Sequence, residues 1–533
     1  MLDGCVPYPP EVADRYTEAG YWRGEPLGRL LRQWAAAHAD RTALVDGDRR
    51  FTYAELDAWA DRLAAGLHAQ GIRSRDRIVV QLPNSAEFVA LCFAMFRLGA
   101  LPVFALPAFR SLEIRHLCEL SGAIGYVVPD EHLDFDYRGL ARQVVEEIPA
   151  LKHVFVAGEG DGFLGLAEIE AEPVELAEPD AHDVAFFLLS GGTTALPKLI
   201  PRTHVDYEYM TRITADICEL GPDSVYLTVL PIEFNFPWGC PGVIGILGVG
   251  GTAVMARTPN PVECFRLIEE EGVTITSIVP TIAHMWLEAT EWNERDLSSL
   301  EVIQIGSAKL HRLVAERIEP TFDCRLQQVF GMAEGLLCFT RYDDDNETIV
   351  STQGTAVSPA DEILVVDEAG NPVAEGEAGE LLTRGPYTLR GYYNAPEHNA
   401  KAFTADGFYR SGDLVRITAS GKLVVEGRVK DVINRGGDKI SATEIEGHIT
   451  AHPNVVQAAV VPVPDLVLGE KTCAVIIAEG VAPKLPQLRK LLRERGLADY
   501  KLPDRVVVVE KFPLTGLGKV DKKTLAARMA GAS

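Results

Sequence analysis

The 533-residue sequence predicts an α/β protein: a large N-terminal body of parallel-rich sheets flanked by helices, a small β-barrel-like unit, then a small α+β C-terminal domain. Three observations carry this prediction. Stretches with helical apolar spacing alternate with short β-branched runs, the texture of strand–helix–strand units. From residue 376 onward Gly, Tyr and short strands take over, and after residue 428 a compact βα mixture begins. Charge also changes sign there. Residues 430–533 hold 16 Lys/Arg and 12 Asp/Glu, a net of +4, so residues 1–429 carry −29 of the total −25. A basic unit beside an acidic body marks a domain boundary. The boundaries read as a body over 1–427, a joint over 428–431 and a terminal domain over 432–533.

The elements follow in order. Helical spacing covers 27–38 and 53–70, and RIVVQL (77–82) reads as a strand. Residues 87–98 are helical, and 101–105 and 124–128 are strands. The run 91–109 is the most apolar, but Arg97, Gly99 and two prolines interrupt it. A buried helix–turn–strand is the better reading than a membrane span. The Gly- and Glu-rich stretch 157–183 reads as a surface excursion. Alternation resumes at 224–230, 262–271, 275–279 and 301–305, with no fixed-period repeat.

Composition excludes several functions. A content of 47% hydrophobic and 24% charged residues is that of a folded globular protein. A net charge of −25 repels phosphate backbones and anionic lipid, so neither nucleic acid nor a membrane is an expected partner. Nine scattered cysteines without a CxxC pair do not form a disulfide framework. The opening residues lack a basic stretch followed by an apolar one, so a cytoplasmic location is expected.

The strongest local signal is LLSGGTTALPK (188–198). Two leucines end a strand. Ser190, Gly191, Gly192, Thr193 and Thr194 then supply backbone and hydroxyl donors, and Lys198 supplies charge. This is a phosphate loop by composition, without the G-x-x-x-x-G-K-[ST] spacing of a P-loop. Taken alone, a flexible surface turn remains the alternative reading.

Four further motifs follow in order: FGMAEG (330–335), YRSGD (409–413), GRVKD (427–431) and GLGKV (516–520). With them the chain resembles the adenylate-forming (acyl/aryl-AMP ligase) superfamily from residue 27 to residue 523. The resemblance implies attack of a carboxylate on the α-phosphorus of ATP, giving an acyl adenylate and pyrophosphate, with Mg2+ as cofactor. It also implies a mobile terminal domain turning about Lys430. The loop residues 190–198 would hold the β- and γ-phosphates, Glu334 would ligate Mg2+ and Asp413 would accept the ribose hydroxyls. Lys519 would reach the substrate carboxylate and α-phosphate, with Arg428 at the joint. Gly306 and the segment Gln328, Val329, Phe330 and Gly331 match adenine-binding positions. Gly436 and Gly437 match the loop that meets a pantetheine thiol. His204 is placed to meet the acyl phosphate, or is a packed or surface histidine.

Within the superfamily the chain is most similar to stand-alone aryl-acid ligases of siderophore-type biosynthesis. The stretches PRTHVDYEY (201–209), FNFPWGCPG (234–242) and TRGPYTLRGYY (383–393) carry that likeness. Asn235 would bind an ortho hydroxyl and Phe236 would stack on the ring. Cys240, Leu337, Ser307 and Gly331 would line the remaining wall. Cys240 replaces the serine usual for 2,3-dihydroxybenzoate, and a thiol is a weak partner for a 3-hydroxyl. Phe234 stands where histidine is common, and Trp238-Gly239 where smaller residues occur. Salicylate ranks first, with 2,3-dihydroxybenzoate or a substituted salicylate such as 6-methylsalicylate as alternatives. The chain ends 14 residues after Lys519 without a phosphopantetheine segment. An aryl or acyl carrier protein in trans is therefore the expected acceptor, with coenzyme A as the alternative.

Overall fold

The structure, a computed structural model, describes residues 1–190, 196–435, 438–465, 468–495, 497, 499–515 and 519–531. The sequence-predicted site residues Gly191, Gly192, Thr193, Thr194, Gly436 and Gly437 lie outside the described residues. The chain forms two compact units. One holds residues 1–190, 196–362 and 383–409, and the other holds 363–382 and the chain from 410 onward.

Two sheets build the first unit. The larger has nine strands; Thr42–Asp46, Thr252–Met255, Val225–Thr228, Ile275–Ile278, Val302–Ile305 and Arg325–Met332 run parallel. Its flanks are antiparallel, with Arg49–Thr52 on one side and Gly335–Phe339 followed by Thr355–Ala356 on the other. The second sheet has seven strands, parallel except where Leu199–Thr203 pairs with Val184–Leu189. Parallel strands covered by helices bury both faces, and the near-continuous apolar runs in the sequence follow from that.

The apolar run at 91–109 is resolved as the sequence suggests. Helix Ala86–Leu98 starts at Ser85, whose hydroxyl accepts the Phe88 N–H, and it stops at Gly99 with φ +73. Strand Leu101–Phe104 follows. The helix packs against helices Leu27–His38 and Tyr53–Ala69 and against a strand of each sheet, so it is buried nearly all round. Arg97 is 6% exposed and is neutralised by Asp57 and Asp61, with Asp61 at 2.8 Å. A buried cation is tolerated only when paired in this way. The stretch 157–183 is more ordered than a simple excursion. Leu164–Gly165 adds a parallel edge strand beside His153–Ala157, and Leu166–Ile169 forms a helical turn.

In the second unit, Ala442–Ile449 and Leu485–Glu494 pack on a sheet of Val432–Arg435, Asp438–Ser441, Val455–Asp465, Gly469–Ala478 and Arg505–Val508. Its other core joins Val461, Cys473, Phe512, Leu525 and Met529. The β-rich stretch forms a four-stranded sheet, Glu362–Val366, Gly379–Arg384, Tyr409–Ile417 and Leu423–Arg428. That order follows the chain. Nine cysteines are free, and among the described residues no helix is long and apolar enough to cross a membrane.

Candidate functional site

In open parallel sheets, ligands meet the carboxyl ends of the strands. The first unit places the predicted residues there: Gly306 after Val302–Ile305, Gly331 late in Arg325–Met332, and Asn235 shortly after Val225–Thr228. The segment 190–198 joins Val184–Leu189 to Leu199–Thr203. Its neck is closed by Ser190, whose N–H donates to the Lys198 carbonyl at 2.9 Å and whose hydroxyl accepts the Lys198 N–H at 3.0 Å.

Glu334 occupies the tip of a hairpin, between Met332 and Gly335, which pair across it. Its side chain is buried, and Oε1 accepts the Tyr392 hydroxyl at 2.7 Å. The Lys198 ammonium lies 5.4 Å from the centroid of the same tyrosine ring. Burial and the adjacent Glu334 carboxylate push the Tyr392 phenol far up, so it stays a donor. A carboxylate and an ammonium thus flank one protonated tyrosine.

The wall around Gly306 is tighter. A side chain at Gly306 would bring its Cβ within 2.8 Å of the Val329 carbonyl and 2.9 Å of the Phe236 ring, so glycine is required by close approach. Ser307 beside it is exposed and holds left-handed backbone, φ +66, which a non-glycine residue adopts at a cost. Gly331 faces Leu337 across the hairpin; Phe330 is half-buried. The Gln328 side chain is engaged by the fold, donating to the Ile349 carbonyl at 2.6 Å and accepting from Gln353 at 3.0 Å.

Asn235 Nδ2 donates to the Cys240 sulfur at 3.2 Å, while Asn235 Oδ1 is buried with no hydrogen-bond partner. Tyr207 Oη, Trp238 Nε1 and both Glu233 oxygens share that condition. Burial holds the Cys240 thiol and the Glu233 carboxyl well above their usual ranges, so both are protonated. Trp238 is fully buried edge-on to Phe88 and Phe104, at 5.4 and 5.9 Å.

The second unit brings Asp413, Arg428 and Lys519 together electrostatically. Asp413 and Arg428 are cross-strand partners joined at 2.6 Å, and the Asp413 N–H donates to the Ser411 hydroxyl at 3.0 Å. Burial raises the Asp413 carboxyl, while Arg428 and then Lys519 pull it back toward ionisation. Lys519 is exposed and sits in a loop closed by the Thr515 N–H bond to its carbonyl, 2.7 Å. Lys430 lies in the single turn Val429–Asp431.

His204 corrects a sequence expectation. It is 1% exposed, edge-on to Phe96, and its Nδ1 accepts the Leu27 N–H at 3.2 Å. Burial pushes it down to about 4, so it is a neutral core residue rather than a phosphate contact. Conversely, Tyr392, Tyr207 and Glu233 were not singled out by sequence reasoning. Tyr392 lies in the TRGPYTLRGYY motif, which was the available signal; nothing in the sequence marks Glu233 as buried.

The AMP-binding enzyme family matches residues 31–393, and the AMP-binding enzyme C-terminal domain matches residues 444–519. The chain is 54% identical over 525 residues to the 2,3-dihydroxybenzoate-AMP ligase of Bacillus subtilis, spanning 98% of this chain and 97% of that one. It is 45% identical over 538 residues to the salicyl-AMP ligase / salicyl-S-ArCP synthetase of Mycobacterium tuberculosis, spanning 99% and 95%. The apo structure of MbtA from Mycobacterium smegmatis matches with a TM-score of 0.78 at 46% identity, covering 98% of this chain and 99% of that one. With two family matches in sequence order and relatives this similar along nearly the whole chain, the protein belongs to the AMP-binding enzyme family and is an adenylating acid–thiol ligase.

Proposed function

We propose that the chain activates a 2-hydroxybenzoic acid, salicylate first, to its aryl adenylate with release of pyrophosphate. It then passes the aryl group to the phosphopantetheine thiol of a separate carrier protein. The observation that carries the choice of acid is Asn235. Its Nδ2 is used by the Cys240 sulfur, so Oδ1 is left as a buried acceptor without a partner. An ortho hydroxyl supplies the missing donor, and a buried polar atom left unpaired costs about 1–3 kcal/mol. Cys240 offers a neutral thiol, which does little for a 3-hydroxyl.

The residues present fit ATP and Mg2+. Glu334 is a buried oxygen donor on a hairpin tip, and Mg2+ is held by one or two carboxylates together with phosphate oxygens. When bound, the ion supplies positive charge to the phosphates. Lys198 neutralises phosphate charge from the neck of the loop, and Gly306 lets its strand end pack closely against Phe236 and Val329. Asp413, paired with Arg428, accepts the ribose hydroxyls. Lys519 orients the attacking carboxylate and balances charge at the α-phosphate. The terminal domain carrying Lys519 turns about Lys430 between the two half-reactions, and Gly436 and Gly437 meet the thiol.

The 54% identical relative is a 2,3-dihydroxybenzoate ligase by name, which keeps that acid as the second reading. ATP–pyrophosphate exchange across a panel of benzoates tests the order. Salicylate is expected to support the faster exchange, and equal rates would overturn the argument from Cys240. Offering salicyl-AMP to a carrier protein and to coenzyme A separates the acceptors; efficient aryl-CoA formation would sink the carrier reading.

A further inference from the structure

Residues 386–394 run through the first unit as irregular backbone with no sheet ladder to hold them. Their contacts reach Glu334 and Lys198. The Leu389 N–H donates to the Glu334 carbonyl at 2.8 Å, and the Tyr392 hydroxyl donates to Glu334 Oε1 at 2.7 Å. The Tyr392 ring lies under Lys198, and the Tyr393 N–H donates to the Leu199 carbonyl at 3.0 Å. The outward side of this strip is gripped by residues 4–22. The Asn394 N–H donates to the Gly4 carbonyl at 3.0 Å, the Tyr8 hydroxyl to the Thr388 carbonyl at 2.5 Å, and Trp22 Nε1 to the Pro386 carbonyl at 3.0 Å. Tyr8 and Tyr16 pack edge-on against Trp22, with centroids 4.9 and 5.2 Å away, and Trp22 is 2% exposed.

We propose that residues 4–22 are a positioning element for the cation-binding carboxylate: Tyr8 and Trp22 lock the 386–394 strip, and Tyr392 on that strip orients Glu334. The inference rests on the reading of Glu334 as the Mg2+ ligand. Backbone without a ladder needs partners from outside itself; Asn399 bonds the N–H and the carbonyl of Tyr392, and Tyr8 and Trp22, aromatic side chains anchored in one cluster, hold the carbonyls at 388 and 386. The Tyr392 bond fixes one oxygen of a carboxylate that can accept about four contacts. The N-terminal grip therefore acts through Tyr392 on how ready Glu334 is to bind, not on the aryl acid.

The test uses the full chain with Tyr8→Phe, Trp22→Phe, Tyr392→Phe and Glu334→Gln. Calorimetric titration of Mg2+ in the presence of α,β-methylene-ATP reads cation affinity without turnover. Melting temperature and the KM for salicylate are measured alongside. Tyr392→Phe is expected to weaken Mg2+ binding about tenfold and Trp22→Phe about threefold, as outer partners of metal ligands do. Tyr8→Phe keeps the ring and removes one hydrogen bond, so it carries the test if Trp22→Phe does not fold. The KM for salicylate should not move. If Tyr8→Phe and Trp22→Phe lower only the melting temperature while Glu334→Gln weakens Mg2+ binding, the grip is merely structural and the inference falls alone. If Glu334→Gln also leaves Mg2+ binding unchanged, the assignment of the metal carboxylate falls with it.

Discussion

Two ends of the first unit hold their buried carboxyl groups in opposite ways. At the cation end, Glu334 has Tyr392 as a donor, Lys198 lies over the same ring, and Ser190 closes the loop neck. At the acid end, Asn235 Oδ1, Tyr207 Oη, Trp238 Nε1 and both oxygens of Glu233 are buried without a partner. The two buried glutamates make the contrast plain. One accepts the Tyr392 phenol, while burial holds the other protonated. On the proposed function, charge that meets phosphate is arranged in advance by the protein, and polarity that recognises a neutral ring substituent is left for the ligand to complete.

If this contrast is right, the cation end should lose most when one group changes. Glu334→Gln keeps shape and hydrogen bonding but removes the charge. ATP–pyrophosphate exchange should fall about 10²–10³-fold, the scale of losing one electrostatic stabiliser. The KM for salicylate should change little. A fall of less than threefold would place the metal elsewhere.

Protonation distinguishes buried groups in a second way. His204 is lowered from 6.5 to about 4, so the unfolded chain binds its proton more tightly than the folded one. Its stabilising contribution is fully present above pH 6.5 and is lost as pH falls toward 4, about 3 kcal/mol over that window. Glu233 has the opposite sign: raised by burial, it favours the fold at low pH and loses that contribution as pH rises. Urea melts between pH 4 and 7 should show His204→Asn with a flatter acid limb than the parent. Glu233→Gln should gain stability relative to the parent as pH rises. Parallel curves for parent and both variants would contradict these environments.

The body's parallel sheets were legible because periodicity survives where strands are buried on both faces, as at RIVV and LPVF. The hairpin that lifts Glu334 was legible only as a motif, since nothing in FGMAEG foretells a two-residue tip. His204 misled because PRTH follows the phosphate loop in sequence while the helix it starts, His204–Ile217, turns its first side chain into the core. The orphaned atoms at 207, 233 and 238 were not legible at all. Burial without a partner depends on chain segments far apart in sequence, and local pattern carries no record of it.

At the acid end the expected effects are smaller and fall on selectivity. Asn235→Leu removes the unpaired acceptor at similar volume. Salicylate kcat/KM should drop about 10²-fold while that of benzoate holds, because only salicylate carries the ortho donor. Equal losses for the two acids would make Asn235 a packing residue and erase the contrast between the two ends.

Cys240→Ser is the finest probe of that contrast. The Cys240 thiol is buried, protonated and already accepts from Asn235 Nδ2. A serine hydroxyl is shorter and a stronger donor and acceptor, so it can meet a 3-hydroxyl that the thiol serves poorly. One such hydrogen bond is worth about 0.5–1.5 kcal/mol. The ratio of salicylate to 2,3-dihydroxybenzoate exchange rates should therefore shrink by about 2–10-fold, mainly through faster exchange with the dihydroxy acid. The serine could instead compete for Asn235 and turn its amide, in which case salicylate itself would slow. The two cases separate cleanly, since only the second changes the rate with salicylate alone. A ratio that does not move at all would mean that the wall at 240 does not face the 3-position, and that the shape set by Trp238 and Gly239 selects the acid instead.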